Sequence, residues 1–517
     1  MTERAANALR EGMVATSHPL AVQAGLEMLE AGGGAADAAV ASAAVLSVAD
    51  PRSTGIGGDL FALFWADGAR RPVGLAAAGP APAGLSVASL RGAGFDAMPL
   101  EGPWSITVPG SVAGWGELLA RFGKLGLDRV LQPAIVLARR GSEVTPVIAE
   151  EWKSSETKLR RNEAARATFL SAGRAPAAGE RFSNARLGDV LDRICRQGRD
   201  AFYRGRVAER IEDAVRRAGG PLCALDLESW SGPEWVEPIR RRFRDIDIFE
   251  MPPPGQGMVV LEATGIYQGL SLGDRVDEEH GAIEALKLAL SDAGAYVADP
   301  LVEAVPTQAL LSEAYLATRR AGIDMQRAQP GRAGSPSDTV YVAAADADGC
   351  ACSLIQSLYE GFGSGIGVPG TGIVLQNRGA NFVLDDAHPN RPAPGKRPYH
   401  TIIPSMLGAD GSFLACLGVV GGFMQPQGQF QIIRNLVDRD MDPRSAVDAP
   451  RFRVLGGNRV GFEAGFDRPT IDALQTRGHE IAALGRFEAG GAQLVMRRGD
   501  RYAGASDPRK GGRVGSH

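Results

Sequence analysis

The sequence has little that would direct it to a membrane, a nucleic acid or an oxidising compartment. Lys and Arg number 56 against 60 for Asp and Glu, so the net charge of -4 leaves no basic surface for nucleic acid. No stretch approaches the roughly 18 apolar residues of a spanning helix. The opening MTERAANALREGMVATSHP contains no apolar segment typical of a secretory leader. We therefore expect a cytoplasmic protein without nucleic-acid or membrane partners.

Cysteine is scarce as well. Five cysteines are scattered over 517 residues, and an odd, scattered set indicates reduced thiols. Cys350 and Cys352 lie in one apolar run, and no His or second Cys pair completes a metal site there, so core packing is favoured. The run GIGVPG at 365–370 has the spacing of a dinucleotide fingerprint, but no apolar strand precedes it. We expect neither a metal nor a cofactor.

What the sequence does contain is a helix-rich first part and a strand-rich second part. Apolar residues at helical spacing predict helices, and short apolar, partly β-branched runs bounded by Gly, Asp and Pro predict strands. The predicted helices cover about 19–31, 35–48, 111–122, 129–139, 206–217, 257–268 and 281–296. The predicted strands are TVYVAAAD, CACSLIQS, TIIPSML and FLACLGVV, all after residue 338. Apolar residues on both faces of these strands indicate a sheet covered on both sides.

A polar segment, QRAQPGRAGSPSD at 326–338, separates the two parts. Its Gly, Pro and Ser content predicts an exposed loop. The segment is either a linker or a site at which the chain is cut.

Thr339 begins the first strand after this segment. If the bond before Thr339 is cut, the new α-amine, with a pKa of about 7.7–8.0, can take the proton of the hydroxyl on the same residue. One residue would then supply both nucleophile and base. Threonine is common in strands, so its position alone decides nothing.

Gly421 and Gly422 follow the apolar run FLACLGVV. Paired glycines after a strand form a tight turn, or direct two backbone N–H groups at one point as an oxyanion hole requires. Both interpretations are open from the pair alone.

Several long segments together resemble the gamma-glutamyltranspeptidase family. They match in the family's order over nearly the whole chain, from about residue 12 to beyond 450. The segments are GMVATSHPLAVQAGLEMLEAGGGAADAAVASAAVLSVADPRSTGIGGDLF, ITVPGSVAGW, EMPPPGQG, DTVYVAAADADGCACSLIQSLYEGFGSGIGVPGTGIVLQNRGANF, GKRPYHTIIPS and GVVGGFMQPQGQFQ. The last segments are more similar to the branch of acylases and amidohydrolases than to the members that transfer gamma-glutamyl groups.

The resemblance implies an α+β fold, the four-layer αββα sandwich of N-terminal-nucleophile hydrolases. It also implies self-cleavage between Asp338 and Thr339, which gives a helix-rich segment 1–338 and a strand-rich segment 339–517 within one fold. In this alignment Thr339 is the nucleophile, and the N–H groups of Gly421 and Gly422 hold the oxyanion. Ser357 replaces a threonine that hydrogen-bonds the nucleophile's hydroxyl. A homodimer of the processed heterodimer is a further expectation.

The substrate pocket departs from the family. Ala78, in AAAGPAPAG at 76–84, stands where the gamma-glutamyl enzymes carry a carboxylate-binding arginine. Other binding residues are replaced by a different set, which we expect to contact the substrate: Tyr359, Arg378, Asn381, His400 and Thr401.

These replacements change the expected substrate. Arg378 would repel an α-ammonium group, and the residue that countered this charge is missing. Arg378 either forks onto a carboxylate of the acyl group or forms a structural ion pair. We expect a small-molecule amide substrate whose acyl group carries a carboxylate but no α-amine. The alternatives are a true gamma-glutamyl transferase or hydrolase acting on glutathione-like substrates, and an uncleaved binding protein without catalysis.

Overall fold

The computed structural model describes residues 11–332, 334 and 338–517. The predicted loop at 326–338 therefore lies partly outside the described residues. The strands are β1 Met13–Thr16, β2 Asp59–Trp65, β3 Val73–Ala77, β4 Ser142–Glu143, β5 Arg181–Phe182, β6 Glu234–Val236, β7 Ile239–Phe243, β8 Ile246–Glu250, β9 Asp338–Ala345, β10 Ala351–Tyr359, β11 Gly367–Val368, β12 Ile373–Val374, β13 Ser405–Ala409, β14 Ser412–Val420, β15 Phe452–Gly456, β16 Arg459–Phe462, β17 Glu480–Ala483, β18 Gly491–Arg498, β19 Arg501–Ser506 and β20 Arg513–Ser516.

The helices differ in length and in the faces that they bury. They are α1 Pro19–Glu30, α2 Ala35–Ala49, α3 Val87–Gly92, α4 Ser111–Phe122, α5 Leu127–Arg140, α6 Pro146–Lys153, α7 Glu156–Arg160, α8 Glu163–Phe169, α9 Ala185–Gln197, α10 Asp200–Tyr203, α11 Gly205–Arg217, α12 Ala224–Glu228, α13 Gly257–Gln268, α14 Arg275–Tyr296, α15 Thr307–Leu310, α16 Glu313–Ala321, α17 Met424–Val437, α18 Pro443–Asp448 and α19 Arg468–Thr476.

Two antiparallel sheets form the centre of the molecule. The first has the order β20-β1-β9-β10-β2-β3-β6, and the second has the order β19-β18-β14-β13-β8-β7. The first sheet is completed by strands from both sides of residue 338, and so is the second, so the two predicted segments form one fold.

The sheets pack face to face, and helices cover their outer faces. Trp65 of β2 lies edge-on to Phe249 of β8, with ring centroids 5.3 Å apart, inside the buried layer between the sheets. Helices α1, α2, α4 and α5 share a core with the first sheet. Helices α13, α14 and α17 share another with the second sheet. These layers confirm the predicted αββα sandwich.

Helix α2 shows why the first sheet can be covered so closely. Its Ala-rich sequence is buried at every residue, because small side chains let the helix pack on both the sheet and the helices outside it. The buried Asp37 carboxylate accepts hydrogen bonds from the N–H groups of Gly34, Lys124 and Leu125, at 2.8, 2.9 and 3.0 Å. These bonds satisfy the start of the helix and tie it to the segment between α4 and α5.

The predicted helices and strands are confirmed, with shifts at two ends. Helix α14 begins at Arg275 rather than near 281, because Asp274 caps it and its charged first turns carry no apolar period. Strand β13 begins at Ser405 rather than Thr401. Pro404 has no N–H to donate to a ladder, and the N–H of Ile403 is already bound by the side chain of Gln425 at 3.0 Å.

Among the described residues, no helix combines the length and the apolar character needed to cross a bilayer.

Candidate active site

Thr339 is the second residue of β9, a central strand of the first sheet, and is 5% exposed. Opposite it, the pairing of β9 with β10 shifts register between Gln356 and Tyr359. Tyr359 takes a positive φ of 80° at this bulge. Bulges redirect side chains at sheet ends and active sites. Here the bulge accompanies a hydroxyl contact between the strands, because the Thr339 Oγ1 donates to the Ser357 Oγ at 3.3 Å.

The Ser357 hydroxyl contacts both sides of the bond before Thr339. It donates to the carbonyl oxygen of Asp338 at 2.7 Å and accepts from the N–H of Tyr359 at 2.7 Å. The Ser357 hydroxyl therefore lies between the Thr339 Oγ1 and the Asp338 carbonyl oxygen. The structure thus brings together three of the predicted residues: Asp338, Thr339 and Ser357.

Gln425 makes a second polar contact with Thr339. Its Nε2 donates to the Thr339 Oγ1 at 3.3 Å, and its Oε1 accepts from the Ile403 N–H at 3.0 Å. Gln425 lies in the first turn of α17, directly after Gly421 and Gly422. Those glycines have φ values of 117° and 61°, a backbone that disfavours L side chains. The turn therefore needs glycine for its shape, and its predicted oxyanion role stays a prediction.

Gln256 joins the glycine turn to the predicted pocket. Its Nε2 donates to the carbonyl oxygens of Thr401, at 2.6 Å, and Gly422, at 3.0 Å. Its Oε1 accepts from the Tyr399 hydroxyl at 3.1 Å. Gln256 is fully buried, so its amide sets the spacing between these two segments.

Arg378 is also fully buried, beside the same pocket. Its Nη1 donates to the Thr401 Oγ1 at 2.8 Å, and the guanidinium lies 4.8 Å above the Tyr359 ring. Its Nε is 4.0 Å from the Asp59 Oδ2. Within the described part of the chain, Nε and Nη2 have no hydrogen-bond partner. Burial lowers the pKa of Arg378, although Asp59 opposes the shift. Two nitrogen atoms of a buried cation thus remain available to donate to an acceptor.

His400 is held between two oxygen atoms. Its Nε2 is 3.1 Å from the Asp59 Oδ2, and its Nδ1 is 2.6 Å from the carbonyl oxygen of Pro398. The Pro398 carbonyl oxygen can only accept, so the Nδ1 carries a proton that points to it. Burial lowers the pKa of His400. Asp59 is fixed by the Gly110 N–H at 3.0 Å, and Phe61 stacks on the ring. The position indicates a structural pocket residue rather than a base for Thr339.

Arg52 and Glu360 place further charges around Asp338. Arg52 forms an ion pair with the Asp338 carboxylate and lies 3.7 Å from Glu151. Burial raises the pKa of Glu360 to about 7, with a further contribution from Asp338, although Lys158 and other cations lower it. The bond before Thr339 therefore lies among several partly buried charges.

The side chains of Asn381 and Ala78 lie apart from these contacts. Asn381 lines a cavity of about 160 Å³ with Tyr399 and Phe423, and its Nδ2 is buried without a partner in the described ranges. Ala78 is 3% exposed in the layer between the sheets and offers no charge to a ligand.

The sequence patterns missed Asp59, Gln256, Gln425 and Arg52. Each left a weak signal. Asp59 opens an otherwise apolar buried strand, and Gln425 belongs to the Gln-rich run MQPQGQFQ. These signals do not reveal partners, because the partners come from distant parts of the chain.

One other cluster has the donor types of a metal site. Single donor atoms of His280, Glu284 and His479 lie within 4.8 Å of one another. However, the His280 Nδ1 is hydrogen-bonded to the His479 Nε2 at 2.8 Å, and Glu284 is paired with Lys287 at 2.8 Å. These bonds join α14 to the segment before β17, although the buried His479 Nδ1 has no hydrogen-bond partner among the described residues.

Comparison with known proteins extends over the whole chain. The model of the family described as Gamma-glutamyltranspeptidase matches residues 21–516. The glutathione hydrolase-like YwrD proenzyme of Bacillus subtilis (strain 168) is 35% identical, covering 97% of each chain. The oxamate amidohydrolase proenzyme of Klebsiella pneumoniae is 34% identical, covering 98% of each. The crystal structure of cephalosporin acylase from Bacillus halodurans covers 100% of this chain and 97% of its own, with 41% identity and a TM-score of 0.94.

Identity is lower, 29%, to the glutathione hydrolase proenzyme of Escherichia coli (strain K12), over 97% of this chain and 90% of that relative. The predicted similarity to the branch of acylases and amidohydrolases is thereby confirmed. The chain belongs to the gamma-glutamyltranspeptidase family, as an enzyme of its acylase-like branch.

Proposed function

We propose that the protein is a self-processing amidohydrolase that cuts its own chain between Asp338 and Thr339 and then uses Thr339 to cleave an amide substrate. The observation that carries the proposal is the Ser357 hydroxyl, which contacts both the Thr339 Oγ1, at 3.3 Å, and the Asp338 carbonyl oxygen, at 2.7 Å. The names of the relatives, which are proenzymes, acylases and amidohydrolases, support it.

Processing requires a shift of the Asp338 acyl group from nitrogen to oxygen, followed by hydrolysis of the resulting ester. The Thr339 Oγ1 attacks the Asp338 carbonyl carbon, and the Ser357 hydroxyl donates to the oxygen on which negative charge develops. The peptide C–N bond breaks, the nitrogen of Thr339 takes up the hydroxyl proton, and an ester joins Asp338 to the Thr339 Oγ1. Water then cleaves the ester. The products are segment 1–338, ending in a carboxylate, and segment 339–517, beginning with a free α-amine.

Turnover repeats this chemistry on an external amide. The α-amine of Thr339 takes the hydroxyl proton as the Oγ1 attacks the substrate carbonyl. The N–H groups of Gly421 and Gly422 hold the oxyanion, and the substrate amine leaves with the proton. Water, or an acceptor amine, resolves the acyl-enzyme. The Gln425 Nε2 donates to the Oγ1 and helps to hold it in place.

The charges of the pocket favour an acyl group with a carboxylate and no α-amine. Arg378 is buried and has two guanidinium nitrogens without partners among the described residues, which suits a carboxylate. An α-ammonium group would be repelled by Arg378, and Asp59, the carboxylate nearest to it, is already engaged by His400. Oxamate, in the name of one relative, has a carboxylate beside its amide and no amine. Gamma-glutamyl substrates are therefore disfavoured.

Intact mass under denaturing conditions tests the proposal. Cleavage before Thr339 should split the 54.3 kDa chain into fragments of roughly 36 and 19 kDa, in proportion to their lengths. Thr339→Ala should remain intact. Thr16→Ala is the matched control, because Thr16 is also buried, on the neighbouring strand β1, and its hydroxyl donates to the Tyr341 carbonyl oxygen. An uncut wild-type chain would refute the proposal and favour a binding protein without catalysis.

The substrate class is tested with the processed enzyme. We expect turnover of anilides whose acyl group ends in a carboxylate, and little turnover of a gamma-glutamyl anilide. Rapid cleavage of the gamma-glutamyl anilide would instead support the alternative of a true gamma-glutamyl transferase or hydrolase.

A further inference from the structure

Arg52 is the cation in closest contact with the residue that precedes the nucleophile. It forms an ion pair with the Asp338 Oδ1, and the two side chains are 14% and 13% exposed. The backbone of Arg52 is fixed beside the active-site strand, because its carbonyl accepts from the Phe362 N–H at 2.8 Å. The next residue, Ser53, accepts from the Leu358 N–H at 3.3 Å. These hydrogen bonds hold the backbone of Arg52 in place next to the candidate active site.

Asp338 presents two groups to two different partners. Its main-chain carbonyl oxygen is bound by the Ser357 hydroxyl at 2.7 Å, and its side-chain carboxylate is bound by Arg52. Two carbon atoms, Cα and Cβ, separate the carbonyl carbon from the carboxylate carbon. An acyl group with this spacing is a succinyl group.

The proposed processing converts Asp338 itself into an acyl group of this kind. When the Thr339 Oγ1 displaces the Thr339 nitrogen from the Asp338 carbonyl, the resulting ester is an acyl-enzyme whose acyl group is a substituted succinyl. The acyl-enzyme formed from a substrate joins its carbonyl to the same oxygen atom. A succinyl substrate can therefore extend its carboxylate to the position that Asp338 occupies before cleavage.

Hydrolysis of the ester breaks the bond that holds Asp338 to Thr339, so its carboxylate can leave Arg52. The carboxylate that then contacts Arg52 is Glu151, at 3.7 Å, which Lys510 also binds. Asp50 adds a weaker attraction to Arg52. The Arg52 Nη2 has the neutral Ser154 Oγ at 3.4 Å, and the Arg52 Nε is buried with no partner among the residues that the structure describes. A partly buried guanidinium with these contacts favours a new carboxylate.

We propose that Arg52 anchors the substrate's carboxylate in the place vacated by Asp338, so that the preferred substrates are succinyl-length monoamides of short dicarboxylic acids. The inference rests on the proposed function and deepens it, since the charge of Arg378 favours an anionic acyl group without an α-amine, while Arg52 holds the carboxylate and sets the length of the acyl group. The substrate amide C–N bond breaks as its carbonyl bonds to the Thr339 Oγ1, the amine leaves protonated, and water releases the dicarboxylate.

The test is a length series of anilides with the processed enzyme: malonyl, succinyl and glutaryl anilides, with butyryl anilide as the uncharged analogue. We expect kcat/KM to be highest for the succinyl anilide, by about tenfold or more over the others. In Arg52→Leu this maximum should disappear, and in Arg52→Lys it should be reduced. Arg71→Leu, which removes a surface ion pair with Glu237, should keep the wild-type profile.

Intact mass is measured first, so that each variant's rate refers to its cleaved fraction. A wild-type profile without a succinyl maximum, or a maximum that survives in cleaved Arg52→Leu, would overturn the inference while leaving the amidohydrolase proposal intact. If Arg52→Leu stays uncleaved, the wild-type series and Arg52→Lys decide the question. A cleaved wild-type enzyme that hydrolyses none of the anilides would overturn both proposals.

Discussion

Removal of the Ser357 hydroxyl is the sharpest perturbation of the proposed self-cleavage. In Ser357→Ala, the Asp338 carbonyl loses its 2.7 Å donor, and the Thr339 Oγ1 loses an acceptor at 3.3 Å. The first contact matters more, because it is short and strengthens as the carbonyl oxygen becomes an oxyanion. Loss of one such donor typically slows a reaction by about 10²–10³-fold. We expect the rate of self-cleavage to fall by that factor.

The substitution also has a cost in stability that must be separated from the effect on rate. Ser357 accepts from the Tyr359 N–H at 2.7 Å, and a buried N–H without a partner costs about 1–3 kcal/mol. Ser353→Ala is a matched control on the same face of β10. Its hydroxyl bonds the Tyr341 hydroxyl at 2.6 Å and the Ser405 carbonyl at 3.0 Å, so its loss also leaves buried partners without a bond.

The assay follows the intact chain by denaturing gel and mass after synthesis, beside urea unfolding of each variant. Ser353→Ala should lose stability but cleave at the wild-type rate. Ser357→Thr, which keeps a hydroxyl, should cleave within about tenfold of wild type. Cleavage of Ser357→Ala at the wild-type rate would refute the role given to this hydroxyl.

Three further predictions concern the pocket, the sheet interface and a buried histidine. Arg378→Leu should lower kcat/KM for carboxylate-bearing anilides by about 30-fold or more, the equivalent of roughly 2 kcal/mol, while butyryl anilide changes little; an equal loss for both substrates would contradict carboxylate binding. Gly418→Ala should destabilise the fold by about 1–3 kcal/mol, because its Cβ would lie 2.3 Å from the Tyr341 ring. Gly116→Ala in α4, where no atom lies within 4 Å of the added Cβ, should stabilise the fold by about 0.5–1 kcal/mol. Thermal unfolding measures both changes. His479 has its pKa lowered from 6.5 to about 3, mainly by burial, so the unfolded chain binds its proton first and stability falls as pH drops below 6.5. Between pH 7 and pH 5 the unfolding free energy of wild type should fall by about 2 kcal/mol more than that of His479→Gln, and parallel curves for the two proteins would count against this assignment.

Much of the fold could be predicted from the sequence. The helices at 111–122 and 257–268 were predicted with the bounds that the structure shows, because their apolar residues repeat at helical spacing within one segment. The start of α14 was not predicted, since its first turns are charged. The position of β13 was shifted because Pro404 and the Gln425 side chain decide where the ladder begins.

The candidate site, like the fold, could be predicted only in part from the sequence. Asp338, Thr339, Ser357, Gly421 and Gly422 were identified from local motifs and their order in the chain. Asp59, Gln256 and Gln425 were not, because each acts on residues more than 80 positions away. No pattern along the chain specifies which buried amide meets which hydroxyl.

The sequence by itself determined the sandwich of helices and sheets and the family, and it predicted a threonine nucleophile after a polar segment. These depend on periodicity and on contiguous motifs, which short segments contain in full. Only the tertiary structure decided that Ser357 bonds the carbonyl before Thr339, that two guanidinium nitrogens of Arg378 stay unpaired in the described chain, and that Arg52 binds Asp338. The Ser357 contact crosses between neighbouring strands and the Arg52 contact joins distant parts of the chain. The burial of these groups exists only once the two sheets are packed together.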